Sequence, residues 1–210
     1  PGTPEFDLFV KEIRKEMTVK AGQKCTAVRR ILVPEPHIDA FQESLIAQLS
    51  KTVIGDPSVE GVRMGALVGC SQRDDVIAQV SKLSSESDIV FGSTSNSDLS
   101  LVGASSEVGT FMSPILLRVK DSSTAVNVHE IEAFGPVSSV MSYNKVEEAV
   151  ALSKKGKGSL CCSITTHDQS VATEFVRNAA SMHGRILVLD RECAKESTGH
   201  GSPLPLLVHG

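Results

Sequence analysis

The 210-residue sequence predicts an α/β protein: an open, largely parallel, twisted sheet with helices on both faces. Two observations carry that expectation. Short runs rich in Ile, Val and Leu alternate along the chain with amphipathic stretches of about ten to fifteen residues, the rhythm of strand-helix crossovers. The run Ile186-Leu187-Val188-Leu189 also lacks polar alternates, as a strand covered on both faces requires. No internal repeat or low-complexity linker interrupts the pattern, so residues 1–210 read as one unit.

Thr3, Pro4 and Glu5 make a helix start, with a hydroxyl cap, proline at the first helical position and an acid in the first turn. Phe6, Phe9, Val10, Ile13 and Met17 then recur at helical spacing, and Gly22 is the natural stop. Residues 30–33 form a β-branched strand closed by Pro34 and Pro36, and a helix follows over 37–49. Residues 74–83 are helical, 89–91 are a strand ended by Gly92, 93–106 are a polar loop or weak hairpin, and 114–119 are a strand. Beyond an apolar, small-residue stretch at 137–141 come a helix at 146–152 and a strand at 160–164. In that strand Cys161 and Cys162 point to opposite faces. A helix over 168–180 and the strand 186–189 complete the series.

The net charge of −4 is spread over interspersed acids and bases, which points away from nucleic acid and anionic membrane surfaces. No run of about twenty apolar residues is present. Pro1-Gly2-Thr3-Pro4 has neither a basic nor an apolar leader segment, so the protein reads as cytoplasmic. The missing initial methionine and the loop-like ending 199–210 lead us to expect an excerpt of a longer chain. Five scattered cysteines imply free thiols, and the histidines show no metal-ligand spacing, so no metal site is expected. Lys154, Lys155 and Lys157 read as a solvated helix end, and His200 as part of a flexible tail.

The most informative segment is Ala21-Gly22-Gln23-Lys24-Cys25-Thr26-Ala27, at the bend after the first helix. A cysteine there has free backbone donors, and Lys24, Arg29 and Arg30 nearby favour a thiolate. Spacing alone leaves a second reading open, in which Cys25 is a small buried apolar residue. Glu132 and Phe134 likewise read either as one ligand-facing pair, two apart on an extended segment, or as a solvated acid and a core aromatic beside a Gly-Pro turn.

Gly22-Gln23-Lys24-Cys25-Thr26-Ala27 resembles the cysteine motif of the aldehyde dehydrogenase superfamily. Gly55-Asp56-Pro57, Met64-Gly65-Ala66-Leu67 and Glu132-Ala133-Phe134-Gly135-Pro136-Val137 follow in that family's order. The segment from Glu16 to Ala27 and the tail from Ala194 to Pro205 are similar to the bifunctional ring-opening proteins of bacterial phenylacetate degradation. Those join an aldehyde dehydrogenase domain to a hydratase-like oxepin-CoA hydrolase domain. The resemblance makes residues 1–210 the catalytic domain of such an enzyme, with most of the cofactor-binding domain absent. It implies that Cys25 attacks the aldehyde, that Glu132 binds the nicotinamide ribose and that Phe134 flanks the nicotinamide. The cofactor is NADP or NAD, the substrate a small aldehyde, in this subfamily a CoA-thioester semialdehyde, and the parent a homo-oligomer.

The family's general-base glutamate, oxyanion asparagine and Gly-rich cofactor loop would all precede Pro1. Ala21 stands where many members carry asparagine. Isolated, the 210 residues are therefore expected not to turn over. Two other classes remain at this level: a cysteine thioester hydrolase without redox cofactor, which needs a histidine base at Cys25, and a non-catalytic oligomerisation module.

Overall fold

The computed structural model describes residues 1–95, 99–193, 195, 199 and 200. Helix α1 (Pro4–Thr18) begins as its sequence dictates, with the Thr3 hydroxyl accepting from the Phe6 amide at 3.2 Å. It ends at Thr18, and an irregular turn through Val19–Gly22 follows. There follow β1 (Arg30–Pro34), α2 (Ile38–Leu49), β2 (Ile54–Gly55), α3 (Cys70–Leu83), β3 (Ser87–Phe91), β4 (Leu101–Val102), β5 (Ile115–Val119) and α4 (Asn127–Glu130). The chain continues through β6 (Val137–Tyr143), α5 (Val146–Lys154), β7 (Ser159–Thr165), α6 (Gln169–Ala179) and β8 (His183–Leu189).

The main sheet has the order β1-β6-β5-β3. β1, β6 and β5 run parallel, and β3 is antiparallel at one edge. Side chains alternate across it, so each strand feeds two cores. Ile115, Leu117, Val137 and Met141 pack with Val76 and Val80 of α3 and Val128 of α4 on one face. Leu116, Val140, Ile31 and Val33 pack with Met17 of α1 and with Phe41 and Leu45 of α2 on the other. Helices thus cover both faces, as expected, and each fully buried Leu or Phe contributes about 1.5–3 kcal/mol. Among the described residues no helix is long and apolar enough to cross a membrane.

Some elements differ from the sequence reading. Within the expected loop 93–106, β4 pairs in parallel with β2. Gly55 permits this, because a Cβ there would lie 2.0 Å from the Val102 carbonyl oxygen. Helix α3 starts at Cys70, four residues earlier than expected, behind Gly69, which offers no side-chain cap. Helix α4 was not foreseen; the Glu86 carboxylate accepts from the Val126 and Val128 amides at its start, a contact made across forty residues. Most of the tail motif 194–205 lies outside the described residues.

β7 and β8 pair in parallel and lie against α5 and α6 through Cys162, Ile164, Ile186, Val150 and Phe175. Arg30 joins this layer to the main sheet. Its partly buried guanidinium donates to the Leu152 and Ser153 carbonyls at 3.1 Å each, at the partly negative C-terminal end of α5, and to Ser159 on β7 at 3.3 Å. It also donates to Nδ1 of His129 at 2.9 Å. Arg191, just past β8, pairs with Glu5 at the start of α1, Nε to Oε1 at 2.7 Å.

His129 is 3 % exposed, and burial, then Arg30, push its imidazole down to about 4. Its neutral form is the one Arg30 can donate to. Between that value and the ordinary one near 6.5, the unfolded chain takes up a proton that the folded chain refuses. The stabilisation is complete above about pH 6.5 and is lost as pH falls through about 4. Burial lowers His183 in the same direction. Thermal melts should therefore show Tm falling from pH 6.5 to pH 5, above the range in which carboxylates titrate. His129→Gln should flatten that slope; an unchanged slope would remove His129 as its source.

Candidate active site

The site grows from the turn that ends α1. Lys20, Ala21 and Gly22 have φ of 54°, 49° and 68°, three consecutive left-handed residues, two of them not glycine. Such a run persists only where neighbouring structure enforces it. Here the enforcement is a backbone-to-backbone contact: a Cβ on Gly22 would lie 2.1 Å from the carbonyl oxygen of Gly135. Gly135 in turn has no room for a Cβ, which would meet the Val76 side chain at 2.6 Å. Two glycines 113 positions apart therefore bring the Cys25 turn against the segment that carries Glu132 and Phe134.

Side-chain amides secure the same junction. Gln23 accepts from the Val68 amide at 2.9 Å and donates to the Lys20 carbonyl at 3.0 Å, so it bridges the turn to the loop before α3. Gln72, in the first turn of α3, donates to the Phe134 carbonyl at 2.9 Å. Cys25 is exposed with a free thiol, and Glu132 is exposed. Phe134 is 42 % exposed, unusual for an aromatic ring, and its φ is 51°.

That φ corrects one step of the sequence reading. Glu132 and Phe134 were expected on one side because of their spacing on an extended segment, but left-handed backbone at Phe134 breaks the two-residue alternation. The backbone on either side of the ring is held by the Gly22–Gly135 contact and by Gln72. Two of the three cations expected to favour the Cys25 thiolate have partners elsewhere. Lys24 pairs with Glu16 at 2.6 Å, and Arg30 is committed to His129 and the end of α5.

Around the thiol the structure adds residues the sequence did not single out for the site. The Cys161 thiol on β7 reaches the carbonyl of Thr26, the residue after Cys25, at 3.8 Å. His200, expected in a flexible tail, is half-buried against β7, with Nε2 2.8 Å from the Ser163 hydroxyl. Burial, and after it Arg185, lower the His200 imidazole. Burial raises the thiols of Cys161 and Cys162, the latter to about 11, whereas Cys25 and Cys70 are the exposed pair. No local pattern in the sequence marks Cys161 or His200, because both reach the site through the docking of β7.

The structure thus combines an open sheet clad by helices with an exposed cysteine on a turn held against the segment of an exposed acid and an exposed aromatic ring. The sequence model of the aldehyde dehydrogenase family matches residues 3–196, and the chain belongs to that family. It is 41 % identical over 210 residues to the 3,4-dehydroadipyl-CoA semialdehyde dehydrogenase of Aromatoleum evansii, covering all of this chain and 40 % of that protein. To Protein MaoC of Klebsiella aerogenes it is 43 % identical over 148 residues, 70 % of this chain and 42 % of the relative. The chain thus spans about two fifths of the length of these curated relatives.

Solved structures agree on the fold. Betaine aldehyde dehydrogenase from Staphylococcus aureus, determined in complex with NAD+, superposes with a TM-score of 0.78 at 23 % identity, over 88 % of this chain and 35 % of that one. Lactaldehyde dehydrogenase from Escherichia coli gives 0.75 at 22 % identity, over 87 % and 36 %.

Proposed function

We propose that these residues are the catalytic part of an NAD(P)-dependent aldehyde dehydrogenase that oxidises a CoA-thioester semialdehyde to the acid. The observation that carries this reading is the Gly22–Gly135 contact, because it joins the turn of the exposed Cys25 to the segment of Glu132 and Phe134. The family membership and the semialdehyde dehydrogenase of Aromatoleum evansii support the substrate class.

In this reading Cys25 attacks the aldehyde carbon as a thiolate, forming a C–S bond and a tetrahedral thiohemiacetal whose oxygen takes a hydrogen bond from the Cys25 amide. That adduct can release a hydride, which a planar aldehyde cannot do readily. A bound nicotinamide, NADP or NAD, supplies the hydride acceptor. Water then cleaves the thioester and returns the Cys25 thiol. The chain spans 40 % of the Aromatoleum relative, so turnover is to be measured on the full-length protein.

The residues present fit a nicotinamide nucleotide. Glu132 offers an exposed carboxylate to a ribose hydroxyl, and Phe134 an exposed ring whose backbone Gln72 fixes. In the full-length protein, Glu132→Ala should raise the KM for the cofactor about tenfold, the loss of one hydrogen bond to a charged group, and leave the KM for the aldehyde unchanged. Stoichiometric formation of reduced nicotinamide by the unsubstituted protein tests the activity itself. We also propose that the parent is a homo-oligomer, as light scattering on it would show.

A further inference from the structure

The face of β7 that carries Cys161 looks toward the Cys25 turn, since the Cys161 thiol touches the Thr26 carbonyl. In the parallel β7–β8 ladder Arg185 is the register partner of Cys161, so its side chain leaves the sheet on that same face. Its charge acts on both Cys161 and His200. Arg185 is exposed and, among the described residues, has no ion pair or side-chain hydrogen bond.

The other charges around it cancel. Lys24 and Glu16 neutralise each other at 2.6 Å, and His200 is lowered toward its neutral form with Nε2 at the Ser163 hydroxyl. One surplus positive charge, on a planar fork suited to phosphate, is left beside the approach to Cys25. We propose that Arg185 is the specificity-determining residue for an anionic group on the aldehyde, and that this group is a phosphate of a coenzyme A carrier. The proposal rests on the aldehyde oxidation assigned above.

Three aldehydes test it in the full-length protein: a CoA-thioester semialdehyde, a short semialdehyde with a free carboxylate, and a neutral straight-chain aldehyde. Arg185→Gln should raise the KM for the CoA thioester about tenfold, with kcat and the other two KM values unchanged, and Arg185→Lys should recover part of the loss. The effect in the unsubstituted protein should shrink with added salt. An equal rise for the carboxylate semialdehyde would overturn the phosphate assignment, and no rise for any substrate would overturn the role of Arg185. Absence of turnover with all three by the unsubstituted protein would overturn the oxidoreductase reading, and this proposal with it. A misfolded variant would show in its melting temperature, which should not move because Arg185 makes no ion pair among the described residues.

Discussion

Replacing Cys25 by alanine in the full-length protein is expected to lower aldehyde oxidation by at least about 10⁴-fold, the scale on which removal of an enzyme nucleophile acts. No neighbouring thiol takes its place: Cys161 and Cys162 are raised by burial, and Cys162 packs on α6 on the opposite face of β7. The fold should not change, because the Cys25 side chain is exposed and belongs to none of the apolar clusters. The measurement is the initial rate of reduced nicotinamide formation, with circular dichroism as the folding control. Retention of a tenth of the rate would remove Cys25 from the chemistry. Cofactor affinity should survive, since the ribose and ring contacts are assigned to Glu132 and Phe134.

The second large effect falls on Gly22. An alanine there meets two penalties at once: left-handed backbone costs a residue with a Cβ about 1–2 kcal/mol, and the new methyl would stand 2.1 Å from the Gly135 carbonyl oxygen. The carbonyl cannot yield freely, because Gly135 is itself pressed against Val76 in the core. Gly22→Ala should cost about 3 kcal/mol or more and lower Tm by roughly 6–12 °C, with activity falling further than stability as the Glu132 segment moves from the cysteine turn. Gly61 is the control. Its φ is 90°, yet nothing lies within 4 Å of a Cβ built there, so Gly61→Ala reports the backbone penalty alone. Equal melting temperatures for the two variants would mean that the Gly22–Gly135 contact does not clamp the site.

How much of this was legible from the residues depends on how local each cause is. The start of α1 could be read because Thr3, Pro4 and the apolar spacing act within one turn. β1, α2, β5, α5, β7 and α6 were likewise set by runs of adjacent residues. The antiparallel direction of β3, the pairing of β2 with β4 and the short helix α4 depend on partners tens of residues away, such as Glu86 reaching Val128. At the site, Cys25, Glu132 and Phe134 were visible through their motifs. The left-handed backbone at Phe134 is not, since no neighbouring residue encodes it, and the pairing of Lys24 and Arg30 depends on partners distant in sequence or in space. His200 and Arg185 became candidates only once β7 and β8 were seen to share a face with the Cys25 turn.

Arg30 faces carbonyl oxygens and an uncharged ring where a carboxylate might have been expected. Among the described residues no acid pairs with it, so dissolved ions have no opposite charge there to shield and mild acid no counterion to discharge, whereas protonation of His129 loosens the joint. The bolt between the two layers should therefore keep its alignment in brine that unfastens surface pairs, and Arg185 should stay aimed at the same spot while its pull on an anion fades.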